Sequence, residues 1–201
     1  MPSGEKGNPP QVQDVSTEYK INNVVVTTQL AKNFNLVEVM KKVPGSVYEP
    51  GNFPALRLKK YEAGFLLYSS GKIVCTGAKS TDDAREKVAL LQTELKKYGI
   101  STIVKPEIFI RNIVASIDLK RELRLHELAC LMEESEYNPE YFPGMKVQFG
   151  NTRLLVFRTG KAILPGLGSV EEIENTVRWL KGRLNSTEKE IARQGLAKAK
   201  R

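Results

Sequence analysis

Two segments, YEPGNFP at 48–54 and YNPEYFP at 137–143, share a pattern of Tyr, then Pro two residues on, then Phe-Pro. Their prolines read as turns. Yet Phe53 and Phe142 are rings whose exposure to water is unfavourable. A ring held at a turn tip, in both copies, needs either a core or a partner to cover it. Little else in the chain could run covalent chemistry. There is one histidine, His126, and there are two cysteines, Cys75 and Cys130, so no zinc pattern can be assembled. Both thiols sit in apolar contexts and are expected to be buried. With no Gly-rich phosphate loop and no convincing carboxylate pair, the sequence predicts no enzyme, no metal, no cofactor and no small-molecule substrate.

The two turns lie 89 positions apart, and the same offset aligns residues 21–96 with 110–185 without a gap, giving 19 identities in 76 positions. The matched pairs include Asn23/Asn112, Val25/Val114, Leu66/Leu155 and Gly71-Lys72/Gly160-Lys161. Turn residues and apolar pattern agree together, which marks a tandem duplication.

Each unit must then hold its ring through the same elements. INNVVVTTQL and IRNIVASIDL are extended and β-branched. A helix follows, with Asn35 as cap and Leu36, Val39, Met40 and Val43 on one face; in the second copy that face is Leu125, Leu128, Ala129 and Met132. After the turn come ALRLKK, GFLLYSS and KIVCTGA, short strands joined by tight turns. A second helix is expected from Ser80 and from Ser169, each with an acid three residues on. The unit reads β-α-β-β-β-β-α, and the fold class is α+β. The expected organisation is a disordered N-terminal arm at 1–18, repeats at 19–107 and 108–185, and a basic tail at 186–201.

Two such units should join edge to edge with pseudo-twofold symmetry, helices on one face of a long sheet and the other face open. The open set (Val25, Leu66, Tyr68, Val74 and their partners Val114, Leu155, Phe157, Ile163) is largely apolar, which suits a partner better than water. The 201 residues are 41% hydrophobic and 27% charged, an ordinary globular composition. The net charge is +8, of which +6 falls between Arg178 and Arg201, leaving +2 elsewhere. Charge alone is therefore a weak pointer to a polyanion. No apolar run would span a bilayer and no signal segment is seen, so the protein is expected to stay inside the cell and off membranes.

At this point INNVV and IRNIV, the two turns, LLYSSGKIVCTGAKS and LVFRTGK together resemble the TATA-box-binding protein family across residues 19–185. The run SSGKIVCTGAKS is close to diagnostic. The resemblance implies a saddle: a long curved antiparallel sheet with helices on its convex face and its concave face on the minor groove of A/T-rich promoter DNA. It implies aromatic wedges at each end, Phe53 with Tyr68 and Phe142 with Phe157, which bend the duplex. Phe is usual where Tyr68 stands. Asn23 and Asn112 match the central asparagines, whose amide donors suit the adenine N3 and thymine O2 acceptors. Val25, Leu66, Val74, Val114, Leu155 and Ile163 match the apolar floor, and Thr76 a groove-facing hydroxyl. Arg57, Lys59, Lys72, Lys79, Lys146 and Lys161 would meet phosphates.

The implied role is that of an archaeal-type general transcription initiation factor. It would recruit a transcription factor B-type protein, through Glu140 and Tyr141 in the second turn, and the RNA polymerase pre-initiation complex. The location would be cytoplasm or nucleoid in an archaeon and nucleus in a eukaryote. The alternative is a diverged paralogue acting as a regulator or protein-binding scaffold with weak DNA preference. That alternative rests on Pro165-Gly166-Leu167-Gly168, which replaces the pattern kept at Thr76-Gly77-Ala78-Lys79. Proline cannot donate to a ladder, so the end of its strand is expected to be an edge or distorted. The segment between turn Phe and second aromatic also looks about two residues short in both copies.

Overall fold

The computed structural model describes residues 18–199. The expected arm lies outside them except for Glu18.

The first unit comprises β1 (Lys20–Gln29), α1 (Leu36–Lys42), β2 (Ser46–Val47), β3 (Ala55–Lys60), β4 (Ala63–Tyr68), β5 (Lys72–Ala78) and α2 (Thr81–Lys97). The second repeats this order with β6 (Ile108–Asp118), α3 (Leu125–Leu131), β7 (Ser135–Glu136), β8 (Gly144–Phe149), β9 (Thr152–Phe157), β10 (Lys161–Leu167) and α4 (Val170–Ala199). The strand that precedes each turn is only two residues long. Local chemistry starts the helices where the sequence predicts. Glu38 N–H bonds Asn35 Oδ1 at 3.2 Å, Asp83 N–H bonds Ser80 Oγ at 3.0 Å, and Glu172 N–H bonds Ser169 Oγ at 3.1 Å. Each such cap stabilises by about 1 kcal/mol. The helix α3 has Arg124 at the cap position and no side-chain cap bond.

All ten strands form one antiparallel sheet in the order β2-β3-β4-β5-β1-β6-β10-β9-β8-β7. The order reads as mirror halves about the β1–β6 pair. There Asn23 faces Val114 and Val25 faces Asn112, equivalent pairings exchanged by a pseudo-twofold axis. Alternation decides which side is filled. Phe65, Leu67, Ile73 and Cys75 are buried against α2 residues such as Leu91 and Leu95, and Leu154, Val156, Ala162 and Leu164 belong to the same continuous core. The large apolar side chains contribute roughly 1.5–3 kcal/mol each. Burial of Cys75 pushes its thiol up to about 11.

Two expectations fail at the helix surfaces. Met40 is exposed, because the seven-residue α1 turns it away from the sheet that Leu36 and Val39 meet. Cys130 is exposed on α3, opposite the side that buries Leu125 and Leu128.

The short hairpins close with two-residue turns. Tyr61 and Glu62 both take positive φ (54° and 56°). That hairpin is tied to α2 by Lys60 Nζ and Tyr61 Oη, which both donate to Glu94. The second hairpin is tied differently: Phe149 stacks on Trp179 of α4 at 4.4 Å.

The segment from 186 onward continues α4 through Ala199 as one helix. Thr187 is fully buried and Ile191 packs on the core. Arg183 forks onto Glu134 and the Leu131 carbonyl, while Arg121 reaches Glu188 and Asn185. These contacts clamp the helix over α3. The Arg183 guanidinium holds the Glu134 carboxyl below its ordinary range.

Candidate nucleic-acid interface

The uncovered face of the sheet carries the other alternating set. Val25, Leu66, Tyr68 and Val74 are half-buried on it, as are Val114, Leu155, Phe157 and Ile163. Leu66 pairs with Val74 and Leu155 with Ile163 across neighbouring strands, so each half presents an apolar floor. A groove of about 750 Å³ runs over the second half, lined by Phe157, Ile163, Lys161, Asn22 and Ser116 among others.

The backbone closes the two turns in the same way. Phe53 N–H bonds the Glu49 carbonyl at 2.9 Å, and Phe142 N–H bonds the Asn138 carbonyl at 3.0 Å, the same i to i+4 closure in both copies. Each ring then precedes the strand residue (Ala55 or Gly144) that pairs with the second aromatic, Tyr68 or Phe157. In the second copy the rings meet, with Phe142 and Phe157 centroids 6.0 Å apart at 60°. Gly144 makes room for this: a Cβ there would stand 2.7 Å from Phe142 Cε1 and 3.0 Å from Phe157 Cε1.

Asn23 and Asn112 sit at the centre of the face, and each is oriented by a backbone amide. Gly77 N–H donates to Asn23 Oδ1 at 2.7 Å, and Gly166 N–H donates to Asn112 Oδ1 at 2.9 Å. With the carbonyl end engaged, the amide –NH₂ is left as donor. Gly77 and Gly166 can aim their N–H groups this way because each adopts positive φ (100° and 78°), a conformation suited to glycine. Asn23 Nδ2 donates one of its hydrogens to Thr76 Oγ1 at 3.3 Å, which leaves the other; Pro165 offers Asn112 no such partner.

Pro165 does not lie on an edge strand. β10 is interior, between β6 and β9. The ladder to β6 jumps from Leu164↔Ala115 to Leu167↔Ile113, and the first copy has the same jump from Cys75↔Val26 to Ala78↔Val24. A bulge common to both repeats thus absorbs the proline, because a bulged residue owes the ladder no N–H. The distortion falls on the other side. β9 and β10 share two paired positions, where β4 and β5 share four.

The cations flank this floor. Arg57 and Lys59 lie opposite Leu66 and Gly64, and Lys146 lies opposite Leu155. Arg57 bridges to Glu49 of the first turn at 2.6 Å and Lys146 to Glu136 of β7 at 3.5 Å, so an acid already engages each. Lys72 and Lys161 are exposed at strand starts. Lys79 Nζ donates to the Asn22 carbonyl at 2.8 Å, and its equivalent, Gly168, has no cation to offer. In the second turn, Glu140 is exposed and Tyr141 is 87% exposed.

No helix among the described residues is long and apolar enough to cross a membrane, and none of their His, Cys, Asp and Glu side chains form a group of three able to hold a metal ion.

The class these features define is a tandem-repeat α+β protein with an open, half-buried apolar sheet face. Comparison with known proteins supplies the family. The profile described as transcription factor TFIID (or TATA-binding protein, TBP) matches residues 18–98 and again 107–186. A TATA-box-binding protein of Archaeoglobus fulgidus is 42% identical over 164 residues, 79% of this chain and 90% of that one. One of Methanothrix thermoacetophila is 40% identical over 173 residues, 83% and 94%. The solved structure of Methanococcus jannaschii TBP superposes with a TM-score of 0.80 at 36% identity, covering 84% of this chain and 99% of that one. The chain belongs to the TATA-box-binding protein family, a family of general transcription factors and not of enzymes.

Proposed function

We propose that the open face takes the minor groove of A/T-rich promoter DNA and bends the duplex by wedging Phe53 with Tyr68, and Phe142 with Phe157, into base steps. The observation that carries this reading is the pair of oriented asparagines. Asn23 and Asn112 each commit the carbonyl oxygen to a glycine N–H, which leaves amide hydrogens available to donate. The minor groove of A·T pairs presents acceptors alone, and guanine's amine would collide with donors so placed. Val25, Leu66, Val74, Val114, Leu155 and Ile163 form the floor against the sugars and base edges, with Thr76 on one side. Lys59, Lys72, Lys79 and Lys161 meet phosphates, and Arg57 and Lys146 do so by exchanging their acid partners. Unstacking costs a few kcal/mol per step and is offset by the apolar surface that a bent duplex covers.

The exposed Glu140 and Tyr141 of the second turn offer a docking point for a transcription factor B-type protein, and through it for RNA polymerase. Such work places the protein with the DNA, inside the cell. The second reading, a diverged paralogue with weak DNA preference, rests on the missing hydroxyl at Pro165 and the missing lysine at Gly168. A gel-shift and bending assay on an end-labelled duplex with a TATA-like site separates the two. Binding with a strong bend is expected, whereas a duplex that stays straight at saturating protein sinks the first reading.

A further inference from the structure

Arg111 lies beside Asn112, and its charge has no part in the floor, the wedges or the core. It falls in a bulge. The β1–β6 ladder pairs Val25 with Asn112 and then Val26 with Ile110, leaving Arg111 without an opposite residue. Bulges re-aim side chains, and here the re-aimed chain lies on the open face. Arg111 Nε donates to Thr27 Oγ1 at 2.8 Å, and its guanidinium carbon stands 5.5 Å from the centre of the Phe109 ring. Thr27 pairs with the floor residue Val74 on one side and with Phe109 on the other. The side chain of Arg111 therefore covers Thr27, which is buried, while Arg111 itself stays exposed. Among the described residues no carboxylate lies within ion-pair distance of it. The equivalent positions in the other half are Asn22 for Arg111 and Lys20 for Phe109. There Ser116 Oγ donates to Asn22 Oδ1 at 3.3 Å and no fork is formed.

Resting on the DNA-binding reading above, we propose that Arg111 is a phosphate-binding fork for the half of the duplex that lies over the first repeat, held ready by Thr27 and Phe109. With Nε committed to Thr27, the Nη1 and Nη2 donors remain as a parallel pair, the geometry that matches two oxygens of one phosphate. The Thr27 bond and the cation–π contact with Phe109 restrict the side chain, so less rotamer entropy is left to lose on binding. A phosphate suits the position better than a base edge. The floor residues are half-buried, whereas Arg111 is exposed at the β1–β6 bulge. Since Asn22 cannot do the same, this contact exists in one half alone and gives the two halves of the interface different grips.

The test is a salt series. Wild type, Arg111→Gln, Arg111→Lys and Thr27→Val are titrated by gel shift against an A/T-rich duplex and a scrambled duplex, and melting curves check the fold. Losing one phosphate contact should make the slope of log K against log salt shallower by about 0.9. Arg111→Gln should show that change, with the same fractional loss of affinity on both duplexes. Arg111→Lys should keep the slope but bind more weakly, since the charge stays and the fork is gone. Thr27→Val should weaken binding while keeping the slope. An unchanged slope in Arg111→Gln overturns the proposal, and so does a loss confined to the A/T-rich duplex, which marks a base contact. If wild type binds neither duplex, the DNA-binding reading falls together with it; binding and bending by wild type with an Arg111→Gln variant that matches it overturns the arginine fork alone.

Discussion

Asn112 Oδ1 accepts the Gly166 N–H at 2.9 Å, one residue past a proline that leaves the strand without a hydroxyl. In the first repeat the equivalent Asn23 is held by Gly77 and also lies within hydrogen-bond reach of Thr76 Oγ1. The orientation of the two amides is thus the same, but the Nδ2 of Asn112 is less engaged. The second half lacks the hydroxyl and keeps the glycine-held amide.

Asn112→Asp tests that aim. A carboxylate keeps an acceptor for Gly166 N–H, so the bulge and the melting temperature should hold. In the proposed complex a donor is thereby replaced by a negative acceptor opposite the acceptors of the groove. Binding to an A/T-rich duplex should weaken by at least the roughly 1–3 kcal/mol that a good base contact contributes. Asn23→Asp should cost less if Thr76 can turn its hydroxyl to the new oxygen. A gel-shift titration read beside a melting curve checks both.

The wedges make a second test. Phe142 and Phe157 are half-buried and lie edge to face, with ring centroids 6.0 Å apart. Removing either ring should reduce the DNA bend, measured by fluorescence energy transfer between the duplex ends, more than it lowers the melting temperature. If the bend is kept and stability drops by the roughly 3–5 kcal/mol typical of a core Phe→Ala change, those rings are core and not wedges.

Gly144→Ala addresses the same pair without touching a ring. The added Cβ would meet Phe142 and Phe157 at 2.7 and 3.0 Å, so the rings must separate. Ala55, its equivalent, shows that the strand itself accepts a methyl group there. The variant should fold normally, and its bend should fall at the second site while the first is unaffected. Two duplexes, each mispaired at one of the two kink steps, would resolve the ends.

The parts legible in the sequence were those set by local chemistry and period. Asn35, Ser80 and Ser169 announce helix starts because a short polar side chain with an acid three residues on satisfies free N–H groups. Leu66, Val74, Leu155 and Ile163 fall on one face because strands alternate. The duplication gave the strand order its symmetry. What stayed hidden depends on register. The bulges at Asn22 and Arg111, and those near Thr76 and Pro165, exist only once two strands are paired, so neither the aim of Arg111 nor the tolerance of Pro165 could be read from one strand. Cys130 and Met40 misled for a simpler reason. A helix of seven residues has too few turns for its apolar residues to fix one buried stripe.

The clamp over α3 changes what removing the C-terminal segment would do. Lys189 and Arg193 are exposed, but Thr187 is buried, Ile191 packs on the core and Glu188 holds Arg121. Deleting 187–201 should therefore lower the melting temperature as well as flatten the salt dependence of binding. Changing Lys189 and Arg193 to Gln should affect at most the salt dependence. Arg183→Met isolates the ion pair with Glu134 and should cost about 1 kcal/mol at neutral pH, since both partners keep some contact with water. Its pH dependence has a definite sign. The Glu134 carboxyl is held below its ordinary value of 4.5 in the folded protein. The pair's contribution is then fully present above 4.5 and is lost as pH falls through the lowered folded value. Wild type and Arg183→Met should converge in stability in acid and differ most at neutral pH. A gap between them that stays constant down to pH 2 would show that Arg183 acts through its hydrogen bonds to the Leu131 carbonyl and Thr187 Oγ1, with the Glu134 charge irrelevant.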